Sequence, residues 1–203
     1  MKHDEALEYE LLKYKAALNV LETNIRVLIE EYQFKNRYNP VEHIKSRIKS
    51  MSSACDKLNS RGYELTLDNL RNHVHDMVGI RIVCSFLSDV REIVEIIKNS
   101  GILRVKEERD YITNPKDTGY ISYHMIVYVP VHLDGRDEYI QAEIQIRTVA
   151  MDFWASLDHK IQYKFPNDIP EEIKKELYNC SVVTKLLDNK MQALNEIVNK
   201  YKD

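Results

Sequence analysis

Apolar residues at Leu7, Leu11, Tyr14, Leu18, Leu21, Ile25, Leu28 and Tyr32 advance by alternating steps of four and three. That is the spacing of a heptad seam and predicts a long helix over about residues 4–36. The chain closes on the same device: Ile173, Leu177, Cys180, Thr184, Leu187, Met191, Leu194, Val198 and Tyr201 keep the spacing, and Pro170 suits the first turn of a second long helix. Seams this narrow pack within one subunit or between subunits, and the length of the two helices favours a homo-oligomer.

Between the terminal helices the period changes. Pro40 to Asn59 reads as a helix with Ile44, Ile48, Met51, Cys55 and Leu58 on one face and Arg47, Lys49 and Lys57 off it, and a shorter helix spans Thr66 to His75. VGIRIVCSF reads as a buried strand, Ser88 as the cap of a helix that Gly101 ends, and ILRVKEERDYI as a second strand. The loop TNPKDTGY leads to ISYHMIVYVPV, a turn at Asp134 and Gly135, and YIQAEIQIRT, after which Thr148 caps a helix carrying Trp154 and His159. The predicted order is α-α-α-β-α-β-β-β-α-α. It implies an α+β fold: a mixed central β-sheet flanked by helices, with long N- and C-terminal helices.

The last strand has the most informative pattern. Ala142, Ile144 and Ile146 share one face, while Gln141, Glu143, Gln145 and Arg147 share the other. A polar strand face is ordinarily just solvated, so this one is a candidate site only because of the residues that accompany it.

The 203 residues, 44% of them hydrophobic, suit one domain over 1–203: an N-terminal helix (1–36), a core (37–165) and a C-terminal helix (166–203). A formal charge of −3 argues against a protein that coats duplex DNA, so an anionic ligand must be gripped by local clusters. No apolar run approaches a membrane span, and MKHDEALEYELLKYK is acidic-mixed where a signal peptide would be basic and then apolar, which points to the cytoplasm. Cys55, Cys84 and Cys180 are scattered and odd in number, and read as reduced core thiols.

Asp76 stands just before a buried strand, and Glu143 lies on the polar face of a later one. Two carboxylates delivered by strands suit Mg²⁺, which takes oxygen ligands and leaves positions for water and phosphate. Arg47, Lys49, Lys57, Arg81, Lys116 and Arg147 supply the positive charge that phosphate chemistry requires. No glycine-rich phosphate loop occurs, so side chains must hold the phosphates. Tyr120, exposed by its loop, suits stacking on a base, and His124 could meet a phosphate or hydroxyl.

The strings HDMVGIRIVCSF, DYITNPKDTGYISYHMIV and EIQIRTVAMDFWASLDHKIQYK resemble the synthetase domain of RelA/SpoT-type alarmone synthetases, and the chain's length resembles the single-domain small alarmone synthetases. The resemblance covers about residues 30–165 and implies a nucleotidyltransferase-like synthetase fold. It implies transfer of the β,γ-pyrophosphate of ATP to the 3′-hydroxyl of GDP or GTP, with GMP as a further acceptor for some members. Carried over by position, it gives Asp76 and Glu143 the Mg²⁺ site and Glu143 the role of base. Arg47 and Arg81 would bracket adenine, with Lys49 and Lys57 near the ATP phosphates. Tyr120 would stack on guanine and Lys116 and His124 would contact the acceptor, while Gln145 and Arg147 are motif positions on the same side. It also implies a homotetramer built through helices. The chain departs from the family's usual residues at Thr118, Asp158, His43, Ser46 and Asp152. The resemblance therefore implies neither an acceptor preference nor strong activation by product.

Two other readings compete. A non-catalytic module of the same fold would bind nucleotide or single-stranded RNA, but would not need both carboxylates and the basic set together. His75-Asp76 could belong to a metal phosphohydrolase, but that site needs further His and Asp ligands on surrounding helices, and His73 is the only close companion.

Overall fold

The alternation in YIQAEIQIRT produces the central strand of a five-stranded sheet in the computed structural model, which describes residues 2–165 and 168–201. In chain order the elements are α1 (Lys2–Asn36), β1 (Val41–Ile48), α2 (Met51–Asn59), α3 (Leu67–His73), β2 (Val78–Cys84) and α4 (Leu87–Asn99). There follow β3 (Arg104–Asp110), β4 (Tyr123–Leu133), β5 (Arg136–Thr148), α5 (Val149–Lys164) and α6 (Glu171–Asn199). The sheet order is β1-β2-β5-β4-β3, with β2 and β5 parallel and every other pair antiparallel. This is the expected α+β arrangement.

Register makes one face continuous and apolar. Ile80 stands opposite Ile144, Ile82 opposite Ile146, and Met125 opposite Ile144. Helices α1 and α4 contribute Leu21, Ile25, Ile93 and Ile97 to the same core, all fully buried. Each such side chain contributes about 1.5–3 kcal/mol by leaving water. The β4–β5 hairpin closes on Asp134 and Gly135, at φ 52° and 69°. Both are left-handed, as a two-residue turn matched to the strand twist requires. The expected Thr148 cap is present, its Oγ1 accepting from the Met151 amide at 3.2 Å.

Four expectations need correction. Pro40 to Asn59 is not one helix: β1 occupies Val41–Ile48, and α2 starts only after Ser50, whose Oγ accepts from the Ser53 amide. Pairing with β2 outweighs the accidental helical spacing of Ile44, Ile48 and Met51. The observed order is therefore α-β-α-α-β-α-β-β-β-α-α. Helix α4 begins earlier than a Ser88 cap would allow. Phe86 is the N-cap position, and the Asp89 carboxylate accepts from its amide at 3.0 Å. Of the cysteines only Cys84 is buried; Cys55 is half-buried and Cys180 is exposed.

The two heptad helices meet different fates. Tyr14, Leu21, Ile25 and Leu28 of α1 are buried within the subunit, whereas Leu187, Met191, Leu194 and Val198 of α6 stay exposed. No helix among the described residues is long and apolar enough to cross a membrane.

Candidate active site

The same register that makes one face apolar collects the polar residues on the other. Lys45 lies opposite Arg81 and Arg47 opposite Gly79. Gly79 in turn lies opposite Glu143, Arg81 opposite Gln145, and Gln145 opposite His124. Directly opposed residues project to the same side, so β1, β2, β5 and β4 present these groups together. A Cβ at Gly79 would lie 3.8 Å from Arg47 Cγ, so a longer side chain there would grow into the space between Arg47 and Glu143. That space is an open cleft of about 250 Å³ lined by Lys45, Ser46, Arg47, Asp76, Gly79, Ile80, Arg81, Glu143 and Gln145.

Asp76 reaches the cleft from the segment before β2. Lys57 Nζ donates to its Oδ1 at 2.7 Å and Lys49 Nζ to its Oδ2 at 3.1 Å. Burial pushes the carboxyl up, but the two ammonium groups outweigh it and hold Asp76 below the usual carboxylate range. The approach to Asp76 is braced: Arg61 donates to the His73 carbonyl at 3.2 Å, and the His73 ring stacks on Tyr63 with centroids 3.7 Å apart. His73 is thereby turned to stacking. His75 is held below its ordinary pKa by burial first and by Lys106 and Lys57 next. Among the described residues no group of three or more His, Cys, Asp or Glu could hold a metal, so the phosphohydrolase reading lacks its ligands.

Glu143 sits in a different setting. His124 Nδ1 lies 3.1 Å from its Oε1, and Gln145 Nε2 donates to its Oε2 at 2.7 Å. His124 Nε2 is 2.7 Å from the Tyr120 hydroxyl. The guanidinium of Arg147 donates through Nη2 both to that hydroxyl and to Gln145 Oε1. Because a guanidinium only donates and an ionised carboxylate only accepts, Arg147 donates to Tyr120 and His124 Nδ1 donates to Glu143, while the direction between the Tyr120 hydroxyl and His124 Nε2 follows the ring's protonation. One chain runs from Arg147 through Tyr120 and His124, the other from Arg147 through Gln145, and both end on Glu143. Burial pushes Glu143 up, yet the His124 hydrogen bond and charge and the Gln145 bond outweigh it, leaving the carboxyl below its usual range.

All the sequence-predicted residues fall in this one region. Arg47, Asp76, Arg81, Glu143 and Gln145 line the cleft, and Lys49 and Lys57 neutralise Asp76. Tyr120, His124 and Arg147 form the adjoining network. Lys116 Nζ lies 5.1 Å from the centroid of the Tyr120 ring and 4.8 Å from that of Tyr111. The expectation of an exposed Tyr120 is corrected: the residue is half-buried and its hydroxyl is engaged. A base could reach its ring only by displacing or joining the cations over it. Lys45, Gly79 and Asp152 belong to the site without a local sequence signal that marks them. Reading β1 as helix hides Lys45, although Lys45 and Arg47 do alternate with Ile44 and Ile48; Ser46, on the other face, donates its hydroxyl to Glu22 of α1 at 2.7 Å.

The donor set suits a hard divalent cation. Asp76 and Glu143 line the same cleft, and the charge of Asp76 raises the proton affinity of Glu143, so the two carboxylates sense each other.

Over most of its length the chain is similar to known proteins. A model of the region found in RelA/SpoT proteins matches residues 46–168. The chain is 46% identical to GTP pyrophosphokinase YwaC of Bacillus subtilis (strain 168) over 93% of its own length and 90% of that protein's. The crystal structure of small alarmone synthetase 2 from Bacillus subtilis superposes with a TM-score of 0.84 at 45% identity, covering 94% of this chain and 98% of that one. The structure of small alarmone synthetase 1 from Bacillus subtilis bound to its product pppGpp gives a TM-score of 0.89 at 30% identity, covering 96% and 99%.

Proposed function

Since the chain belongs to the RelA/SpoT family and is a GTP pyrophosphokinase of the small alarmone synthetase type, we propose that Glu143 is the base of its reaction and that Asp76 and Glu143 together bind Mg²⁺. The reaction moves the β,γ-pyrophosphate of ATP onto the 3′-hydroxyl of GDP or GTP and releases AMP. The single observation that carries the assignment is the convergence of two donor chains on Glu143. A ribose hydroxyl is a poor nucleophile at neutral pH, and an ionised carboxylate held at fixed aim is what its activation needs.

Asp76 and Glu143 would hold Mg²⁺ between them, where the ion would neutralise the triphosphate and polarise the phosphorus under attack. The chain's own residues do the rest. Arg47 and Arg81 grip the adenine end of ATP from the β1–β2 side of the cleft. Lys49 and Lys57, freed from Asp76, take up phosphate charge. Tyr120 and Lys116 receive the guanine nucleotide, with His124 close to its ribose and phosphates. Arg147 and Gln145 keep Glu143 in place.

The exposed seam of α6 supports a homo-oligomer, and the family resemblance supports a tetramer. Trp154, Phe153, Leu157, Val183, Leu187 and Met191 line an apolar groove of about 990 Å³ between α5 and α6. Light scattering should show a mass above one subunit, and Leu187→Glu with Met191→Glu should lower it. The nucleotide substrates support a cytoplasmic site of action.

The test of activity is an acceptor panel: ATP and Mg²⁺ with GMP, GDP or GTP, followed by chromatography. The expected result is AMP together with a 3′-pyrophosphorylated guanine nucleotide from GDP or GTP. No AMP release with any acceptor, alongside a gel shift of single-stranded RNA, would point instead to the binding-module reading.

A further inference from the structure

Arg147 is the common origin of both chains that end on Glu143, so whatever aims Arg147 aims the site. Its guanidinium is buried and forms a rigid planar fork, in which fixing one edge fixes the other. Nε donates to Ser122 Oγ at 3.3 Å and Nη1 to Asp152 Oδ1 at 3.2 Å, which leaves Nη2 for Tyr120 and Gln145. Asp152 lies in the first turn of α5 and is itself buried. Its Oδ1 also accepts from Arg81 Nη1 at 2.9 Å, so one oxygen clamps an arginine of the ATP side and one of the acceptor side. Oδ2 lies 3.8 Å from His43 Nε2.

We infer that Asp152 is a positioning residue for the reaction: through Oδ1 it sets the aim of Arg147, and hence of Glu143, and holds Arg81 at the cleft. The path through Glu143 rests on the function proposed above. A displacement of about 1 Å at a reacting group can cost on the order of 10²-fold in rate, so a second-layer carboxylate can govern turnover without touching substrate.

The experiment compares three variants in kcat, in KM for ATP and in unfolding midpoint. Asp152→Asn keeps an acceptor oxygen in the Oδ1 position but loses the charge. Asp152→Glu keeps the charge and moves the oxygens by one methylene, and Asp152→Ala removes both. The expected pattern is kcat lowered about 10²-fold for Ala and about 10-fold for Glu, with KM for ATP raised severalfold in both. Asn should retain most of kcat even though its unfolding midpoint falls, because Arg147 loses a buried counter-charge. Wild-type kcat in Asp152→Ala, or a Glu variant as active as wild type beside an impaired Asn variant, would overturn the inference. Glu143→Gln in the same assay separates the two readings. An inactive Glu143→Gln with an unimpaired Asp152→Ala sinks only the positioning role. An active Glu143→Gln with the Ala loss and Asn rescue sinks only the base assignment.

Discussion

The two carboxylates of the cleft lie on neighbouring parts of one sheet face, yet they are held in opposite ways. Asp76 is gripped by Lys49 and Lys57, flexible side chains whose ammonium groups reach it from β1's end and from α2. Glu143 is gripped by His124 and Gln145, short side chains themselves fixed through Tyr120 and Arg147. Both carboxyls are pushed up by burial and brought below their usual range by these partners, so their charge state is the same while the kind of partner differs. A point charge on a four-carbon stem can leave for a phosphate at little cost. A network whose members satisfy one another is rigid, and losing one member leaves the others unpaired. The two carboxylates thus divide the labour: exchangeable neutralisation at Asp76, preorganised aim at Glu143.

The largest expected effect comes from making the exchangeable side useless. Asp76→Asn keeps the shape but removes the charge that pairs with the lysines and that would bind the proposed Mg²⁺, and should lower kcat about 10³-fold in steady-state AMP release. Tyr120→Phe cuts one donor chain while leaving the ring. It should lower kcat roughly 10-fold with little change in KM for the acceptor, and an unchanged kcat would mean the network does not aim Glu143. Lys57→Gln should do the reverse, raising KM for ATP several-fold with a smaller change in kcat; a pure kcat defect would erase the contrast between the two regions.

The smallest effect tests the same physics where a carboxyl has neither cations nor a network. Asp188, buried in α6, accepts among the described residues only from Thr148 Oγ1 at 2.8 Å, and burial raises its pKa to about 6. The folded state therefore binds this proton more tightly than the unfolded chain. The resulting stability is fully present below about pH 4 and is lost as pH rises through about 6. Asp188→Asn should raise the melting midpoint by a few degrees at pH 8 and leave it nearly unchanged at pH 4, read by differential scanning fluorimetry.

Much of this was legible along the chain, and the exceptions have physical causes. The alternation of Ala142, Ile144 and Ile146 with Glu143, Gln145 and Arg147 located β5 and its polar face, because a half-buried strand leaves a period-two record. The strand β1 was hidden because Ile44 and Ile48 continue into Met51, Cys55 and Leu58 at helical spacing across a true boundary. Ser50 marks that boundary as an N-cap, a signal available but outweighed by the longer period. Asp152 could not be found locally, since an acid in the first turn of a helix is expected for reasons of dipole and solvation. Its partner Arg81 is 71 residues away and meets it only when β2 and β5 pair. The half-burial of Tyr120, a loop residue, likewise depends on Arg147, which reaches it from β5. The substrates themselves came from the resemblance, since periodicity carries no information about a nucleobase.

In the proposed reaction Glu143, held ionised and aimed by its network, takes the proton of the acceptor's 3′-hydroxyl. The most direct test is Glu143→Gln with ATP, Mg²⁺ and GDP, measuring AMP release together with calorimetric binding of each nucleotide. Turnover should fall at least about 10³-fold with GDP binding retained within a few-fold. Turnover at the wild-type rate would contradict the base role of Glu143.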